Sequence, residues 1–405
     1  MGLGLTLSLA ATGPANATDR DGINFKKRYF WAGYTGTKCE LWSSNGTGKG
    51  TKLVKKIDSG MAGGSGPREF AVLGNYLYFA ASGTGVGREV YRTDGTGKGT
   101  KLVKDIVSGI YGSSPQYLTK AGKHVYFAAR GTDIGIELWR TNGTGAGTSL
   151  VADIEQPEGG GHDDYGSSPS DLTALGSKVI FSASVEGKGR ELYVSNGTSG
   201  GTKMLQDIYA GSGSSDPDEM AAFKGKVYFA ATATSGDREL WVTNGTAAGT
   251  KRLKNISTKG SSSPTALTVM GKHVYFTAVG NNGKRGLWRT DGTAKGTKLV
   301  KSLPSTPVYL VSSAKTLYFS SMKFSTSGST AWLWKSDGTK KGTKTIRKFT
   351  GSNPIPHNLV VANSKLFFWV STGGSKNKNH VWVSNGTKKG TKKVPGAGTG
   401  CYGVS

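Results

Sequence analysis

Apolar residues along this chain fall in short runs, such as HVYFAAR from His124 and TSLVADI from Thr148, set between glycine-rich polar stretches. Runs of that length bounded by turn residues predict many short β-strands rather than helices. The 63 glycines fit the same picture, because tight turns need the positive φ that glycine adopts without strain. Over residues 115–154 four strands are expected. Pro115 opens one around Gln116 to Thr119, Ala121-Gly122-Lys123 turns the chain, and HVYFAAR is the second. ELWRT, from Glu137, is the third, and Asn142-Gly143 turns the chain into TSLVADI, the fourth. Asn-Gly and Asp-Gly are strong hairpin signals, since both residues tolerate the left-handed region.

This pattern recurs. ELWSSNGTGKGTKLVKKI begins at Glu40, and related segments begin at Glu89, Glu137, Glu191, Glu239, Gly286, Trp332 and His380. The turn residue is Asn45, Asp94, Asn142, Asn196, Asn244, Asp291, Asp337 or Asn385, so the spacing is about 48 residues throughout, apart from one step of 54 between Asn142 and Asn196. The chain resembles the bacterial ELWxxDGT repeat family: the Leu-aromatic pair, the Asn/Asp-Gly-Thr turn and the following Gly-Thr recur together over nearly its whole length. That resemblance implies a secreted or surface protein and carries no assigned biochemical activity. Gly286, Trp332 and His380 depart from the leading Glu of the motif.

A lone four-stranded sheet of this size leaves both faces wet, whereas stacking the units around an axis buries both faces and closing the ring removes the terminal edges. The expected fold is therefore all-β, a closed eight-bladed β-propeller of eight repeats, with an open β-solenoid as the alternative. The first blade looks truncated, with only GINFKKRYFWAG ahead of Cys39, and the tail TGCYGV (399–404) could complete it. Cys39 and Cys401 would then meet at the seam in a disulfide closing a loop of roughly 360 residues, with a stabilisation of about 4–5 kcal/mol; the alternative is two buried thiols. Residues 1–17, with the apolar stretch GLGLTLSLAA and the small-x-small site Ala15-Asn16-Ala17, read as a signal peptide, and 18–405 as a single domain. The expected location is extracellular or the cell surface, with no transmembrane segment and a monomeric chain.

Charge then adds a partner class. Lys and Arg number 52 against 26 Asp and Glu, a formal net charge of +26, which attracts polyanions. In a propeller the third-to-fourth-strand turns all lie on one face, so Lys49, Lys98, Lys251, Lys295, Lys298, Lys340, Lys341, Lys344, Lys388, Lys389 and Lys392 would form a basic arc running across the seam. Such an arc suits an acidic glycan or another extracellular matrix or surface polymer, many weak contacts acting together. A solvated face that merely keeps the chain soluble is the competing reading. Nucleic acid is disfavoured, because aromatic residues do not interleave with these lysines as a stacking platform requires.

Other candidates are weaker. The extra residues of the long step, EQPEGGGHDDYG, carry Glu158, His162, Asp163 and Asp164, ligand types that suit Ca²⁺; otherwise no cofactor is indicated. The eight motif aromatics, Trp42 to Trp382, are expected in blade packing rather than stacked on sugars. The motif Glu, often preceded by Arg as in Arg88-Glu89, suggests a structural ion pair between blades. The five Asn-Gly-Thr turns are also glycosylation acceptors, but Asp stands at three equivalent turns, as expected if turn geometry is the requirement. No catalytic constellation is visible. The expected function is a secreted or cell-surface binding or scaffold protein; the alternative is a polysaccharide lyase or glycosidase with its active site over the central channel.

Overall fold

The computed structural model describes residues 22–58, 60, 63–155, 166–324, 328–351, 354–362, 364–371 and 379–395. Among them there is no helix, and the strands form eight antiparallel four-stranded sheets, each in chain order from its first strand to its fourth. These are the blades of an eight-bladed β-propeller. In the third blade the strands are Gln116–Ala121, His124–Arg130, Ile136–Thr141 and Thr148–Ala152, within two residues of the expectation at every boundary.

Eight hydrophobic clusters hold the blades together, and each draws on two neighbouring sheets. Phe181 and Tyr193 of blade four pack with Tyr126 and Leu138 of blade three, for example. The cluster that closes the ring joins Tyr29 and Trp31 of blade one to Phe367 and Trp369 of blade eight. There the Trp369 indole N–H donates to the Tyr29 hydroxyl at 3.3 Å across 340 residues of sequence. The motif aromatics belong to this packing. Phe319–Trp334, Phe181–Tyr193 and Phe368–Trp382 stack across strands two and three with centroids 5.8, 5.8 and 6.2 Å apart.

The first blade is complete, which corrects the expectation of a truncated unit. Gly22–Phe25 and Arg28–Thr35 supply its two inner strands, and Lys38–Ser44 and Lys52–Lys55 its outer pair. GINF pairs back on RYFW through the tight turn at Lys26 and Lys27, both at positive φ, so no strand from the tail is needed. The tail segment 399–404 with Cys401, and residues 1–21, lie outside the described residues. Among the described residues no helix is long and apolar enough to cross a membrane.

Candidate functional sites: the lysine face, the channel and its mouth

Each Asn/Asp-Gly-Thr turn is a self-contained hydrogen-bonded unit. Asn45 Oδ1 accepts the Thr47 N–H at 3.1 Å and the Thr47 hydroxyl at 2.8 Å, and Thr47 Oγ1 in turn accepts the Gly50 N–H at 3.0 Å. The Ser44 and Thr51 hydroxyls bond to each other at 2.7 Å beneath the turn. The same Oδ1 contact to the Thr N–H recurs in all eight blades, with Asn or Asp alike. Only the oxygen common to both side chains is used, which explains their interchange. A Cβ on Gly50 would lie 1.9 Å from Asn45 Oδ1, which explains the second glycine of the motif. The motif is therefore turn architecture, and its side chains are occupied by it.

The lysines between these fixed positions are not. All eleven of the residues expected to bind polyanion, from Lys49 to Lys392, are exposed. None of their ammonium groups hydrogen-bonds to, or forms an ion pair with, another described residue; the ion pairs among the described residues include Lys188–Asp207, Arg238–Asp218 and Arg252–Asp237. Because every blade runs in the same order, their turns share one face, and closure of blade eight on blade one makes the arc continuous across the seam. A second set of cations, missed in the sequence, is structural. Lys55, Lys104, Lys254, Lys301 and Arg347 each donate to the carbonyl of the motif Thr in the next blade: Thr100, Thr148, Thr297, Thr343 and Thr391, at 2.6 to 3.0 Å. Their signal is the last cation of the KLVK segment, present in five of the eight repeats.

The motif glutamates lie toward the opposite face, and they correct the expected ion pairs. Glu40, Glu89, Glu137, Glu191 and Glu239 are fully buried. Each anchors the loop leading to the next blade by accepting a serine hydroxyl, from Ser65, Ser113, Ser167, Ser215 and Ser262 at 2.5 to 2.7 Å, together with backbone N–H groups. Burial raises Glu137 to about 7, with the Ser167 hydrogen bonds opposing. The neighbouring arginines serve a different purpose: Arg88, Arg190 and Arg238 bond to carbonyls of the chain entering their own blade, and Arg238 also pairs with Asp218 of that blade.

The innermost strands enclose a central channel of about 660 Å³, lined chiefly by Ala, Val and Leu, with Thr119, Thr173, Thr268, Ser312, Lys120, Asn24 and Asn358 as its more polar members; among the described residues no carboxylate lines it. Near their start, at the end away from the Asx turns, seven of these strands carry a residue at positive φ: Glu69, Tyr117, Asp171, Glu219, Ala266, Tyr309 and Asn358, with φ between 50° and 61°. In each strand this residue lies within a β-bulge. This ring was not recognised in the sequence, although a proline two residues earlier (Pro67, Pro115, Pro169, Pro217, Pro264, Pro307, Pro356) marks it.

Two of its carboxylates join neighbouring blades. Glu69 accepts the Tyr117 N–H at 2.7 Å and Glu219 the Ala266 N–H at 2.6 Å. Glu219 is buried, and burial together with the adjacent Asp218 raises its carboxyl well above the usual range; Asp218 is paired with Arg238. Among the described residues no group of His, Cys, Asp and Glu is arranged to hold a metal ion. Glu158, His162, Asp163 and Asp164 lie outside them.

No protein-family model matches the sequence, and no curated protein sequence matches it. Solved structures do match. A puromycin hydrolase aligns with 84% of this chain and 54% of its own at 12% identity and a TM-score of 0.52. A prolyl endopeptidase aligns with 91% of this chain and 54% of its own at 14% identity and a TM-score of 0.54. Dihydro-heme d1 dehydrogenase NirN aligns with 80% of this chain and 65% of its own at 12% identity and a TM-score of 0.52. The chain spans about half the length of the two hydrolytic enzymes. At such identities the likeness shows the propeller fold and nothing of the chemistry.

Proposed function

We propose that this chain is a secreted or cell-surface binding protein of the ELWxxDGT repeat type, and that it engages acidic polysaccharide through its lysine face. The observation that carries this reading is the contrast between two sets of cations. The terminal cation of the KLVK segment is tied to the next blade, whereas the eleven turn lysines are exposed and without an ion-pair partner. A rigid ring presents the latter at regular intervals, so an extended polyanion meets many of them at once, each contact weak and the sum strong. The partner is an acidic glycan or another anionic matrix polymer.

A binding role is favoured over a lyase or glycosidase. Those chemistries need a pair of carboxylates, or a base, at a substrate site. Among the described residues no carboxylate lines the channel; at its far mouth Glu69 and Glu219 hold neighbouring strands and Asp218 pairs with Arg238, with Asp171 near enough to raise Asp218 and Glu219 further.

The test is binding of the purified chain to heparin, polygalacturonate and a neutral dextran over a range of salt concentrations. Affinity for the two acidic polymers that falls steadily with salt, with none for dextran, supports the reading. Absence of binding to either acidic polymer overturns it, and shortening of a polymer on incubation would move the chain to the enzyme alternative.

A further inference from the structure

Charge is not spread evenly along the lysine face. Between the outer edge of blade seven and the Asx turn of blade eight lies a groove of about 1120 Å³. Six cationic residues line it: Lys335, Lys344, Arg347, Lys348, Lys388 and Lys389; among the described residues no carboxylate does. Two of the six have fixed duties across the blade boundary. Lys335 donates to the Gly386 carbonyl and Arg347 to the Thr391 carbonyl, both at 2.8 Å. They hold the groove walls together and leave Lys344, Lys348, Lys388 and Lys389, all exposed, facing a shared space.

Four ammonium groups lining one groove repel one another, a repulsion that the Asp337 carboxylate near Lys344 offsets only in part, and an anion entering between them relieves it. Concave walls also focus the field more than a flat arc of the same charges does. The groove offers no run of open aromatic faces: Trp332, its one aromatic lining residue, is half-buried against the cluster between blades six and seven, and the Arg347 guanidinium sits 4.9 Å from the Trp382 ring centroid and 5.7 Å from that of Phe349. A single-stranded nucleic acid needs such faces for base stacking, whereas a glycan bearing sulfate or carboxylate groups needs only the charges.

We propose that this groove is the principal binding site of the chain for a linear acidic polysaccharide, one strand of which lies between blades seven and eight with its anionic groups on Lys344, Lys348, Lys388 and Lys389. This rests on the reading of the lysine face as a polyanion surface and assigns its strongest segment.

The experiment compares two fourfold variants that remove equal charge. One is Lys344→Ala, Lys348→Ala, Lys388→Ala and Lys389→Ala, and the other, on the rest of the arc, is Lys49→Ala, Lys98→Ala, Lys295→Ala and Lys298→Ala. Binding to a defined heparin oligosaccharide, to polygalacturonate and to poly(dT) is measured at two salt concentrations. The groove variant is expected to lose about tenfold or more in affinity for the acidic glycans and the arc variant less than about threefold, since clustered charges act together and dispersed ones separately. Equal losses overturn the groove assignment and leave the lysine-face reading standing. A parent chain that binds neither glycan overturns both, and tighter binding to poly(dT) than to the glycans overturns the choice of ligand. If the groove variant melts early, the pair K388E and K389E, confined to an exposed turn, gives the same readout.

Discussion

Glu89, fully buried on the third strand of blade two, accepts both the N–H and the hydroxyl of Ser113, at 2.7 and 2.5 Å, from 24 residues further along the chain. It also takes the Val107 N–H at 3.2 Å. One carboxylate thereby closes the whole loop between blades two and three. One repeat that lacks the Glu holds its exit differently: after Trp332 the fourth strand extends over Lys344–Gly351, eight residues against four in blade two, so longer strand pairing stands where the carboxylate does elsewhere.

Replacing Glu89 by Ala should therefore destabilise the fold by about 3 kcal/mol, because the donors of Ser113 and Val107 are left buried without an acceptor. Ser113→Ala, which removes one hydroxyl, should cost about 1 kcal/mol. Denaturant midpoints would show this order, and equal effects would mean that the loop is held by something else.

The turns make a sharper contrast. Asn142→Asp keeps the oxygen that accepts the Thr144 N–H and hydroxyl and should change stability by less than about 0.5 kcal/mol, whereas Asn142→Ala should cost about 1 kcal/mol. Gly147→Ala brings a Cβ to 2.0 Å from Asn142 Oδ1 and should exceed both. Thermal unfolding of the three variants checks the ranking, and an Asn142→Asp change as costly as Asn142→Ala would show that the amide nitrogen matters.

Glu137 predicts a pH dependence. Its carboxyl is raised by burial to about 7 in the folded chain and has its ordinary value, about 4.3, when unfolded. Between those values the native state holds the extra proton, so the stability linked to this group is fully present below about pH 4 and is lost as pH rises through 7. The span corresponds to about 4 kcal/mol at most. Chemical denaturation at pH 5 and pH 7.5 should show the parent weaker at the higher pH and the difference reduced in Glu137→Gln. A parent that gains stability over this interval, unaltered by the substitution, contradicts the assignment.

The blade staples give a further test. Lys104 Nζ lies 3.0 Å from the Thr148 carbonyl, and Lys104→Met, which keeps the stem but removes the donor, should cost about 1–2 kcal/mol. The same change at exposed Lys98, on a turn, should be close to neutral. A matched loss at both positions would mean that net charge, not the carbonyl contact, is being read.

The pairing of Cys39 with Cys401 remains a proposal of the same testable kind. The intact mass under non-reducing conditions should be lower by the two thiol hydrogens than after reduction, and reduction should lower the melting temperature, since the bridge would close nearly the entire ring. An unchanged mass refutes it. Cys39 itself is buried on the third strand of blade one, where its backbone bridges to Gly64.

Much of this protein is legible along the chain because its decisive contacts are local. The Asx turn closes within seven residues, from Ser44 to Thr51, and each blade is a meander whose strands pair with their sequence neighbours, so repeat length, turn chemistry and strand order are all written in a window of about fifty residues. The eightfold closure follows from the number of copies. What depended on tertiary structure is whatever lies between blades. The Glu89–Ser113 anchor, the Lys104–Thr148 staple and the positive-φ ring at Glu69, Tyr117 and Glu219 join groups 24 to 48 residues apart, and a charged residue reads alike in sequence whether it is exposed or bonded to the next blade. The same is true of the groove at Lys344, Lys348, Lys388 and Lys389: two repeats supply the cations, and only the stacking of blade eight on blade seven makes them one site.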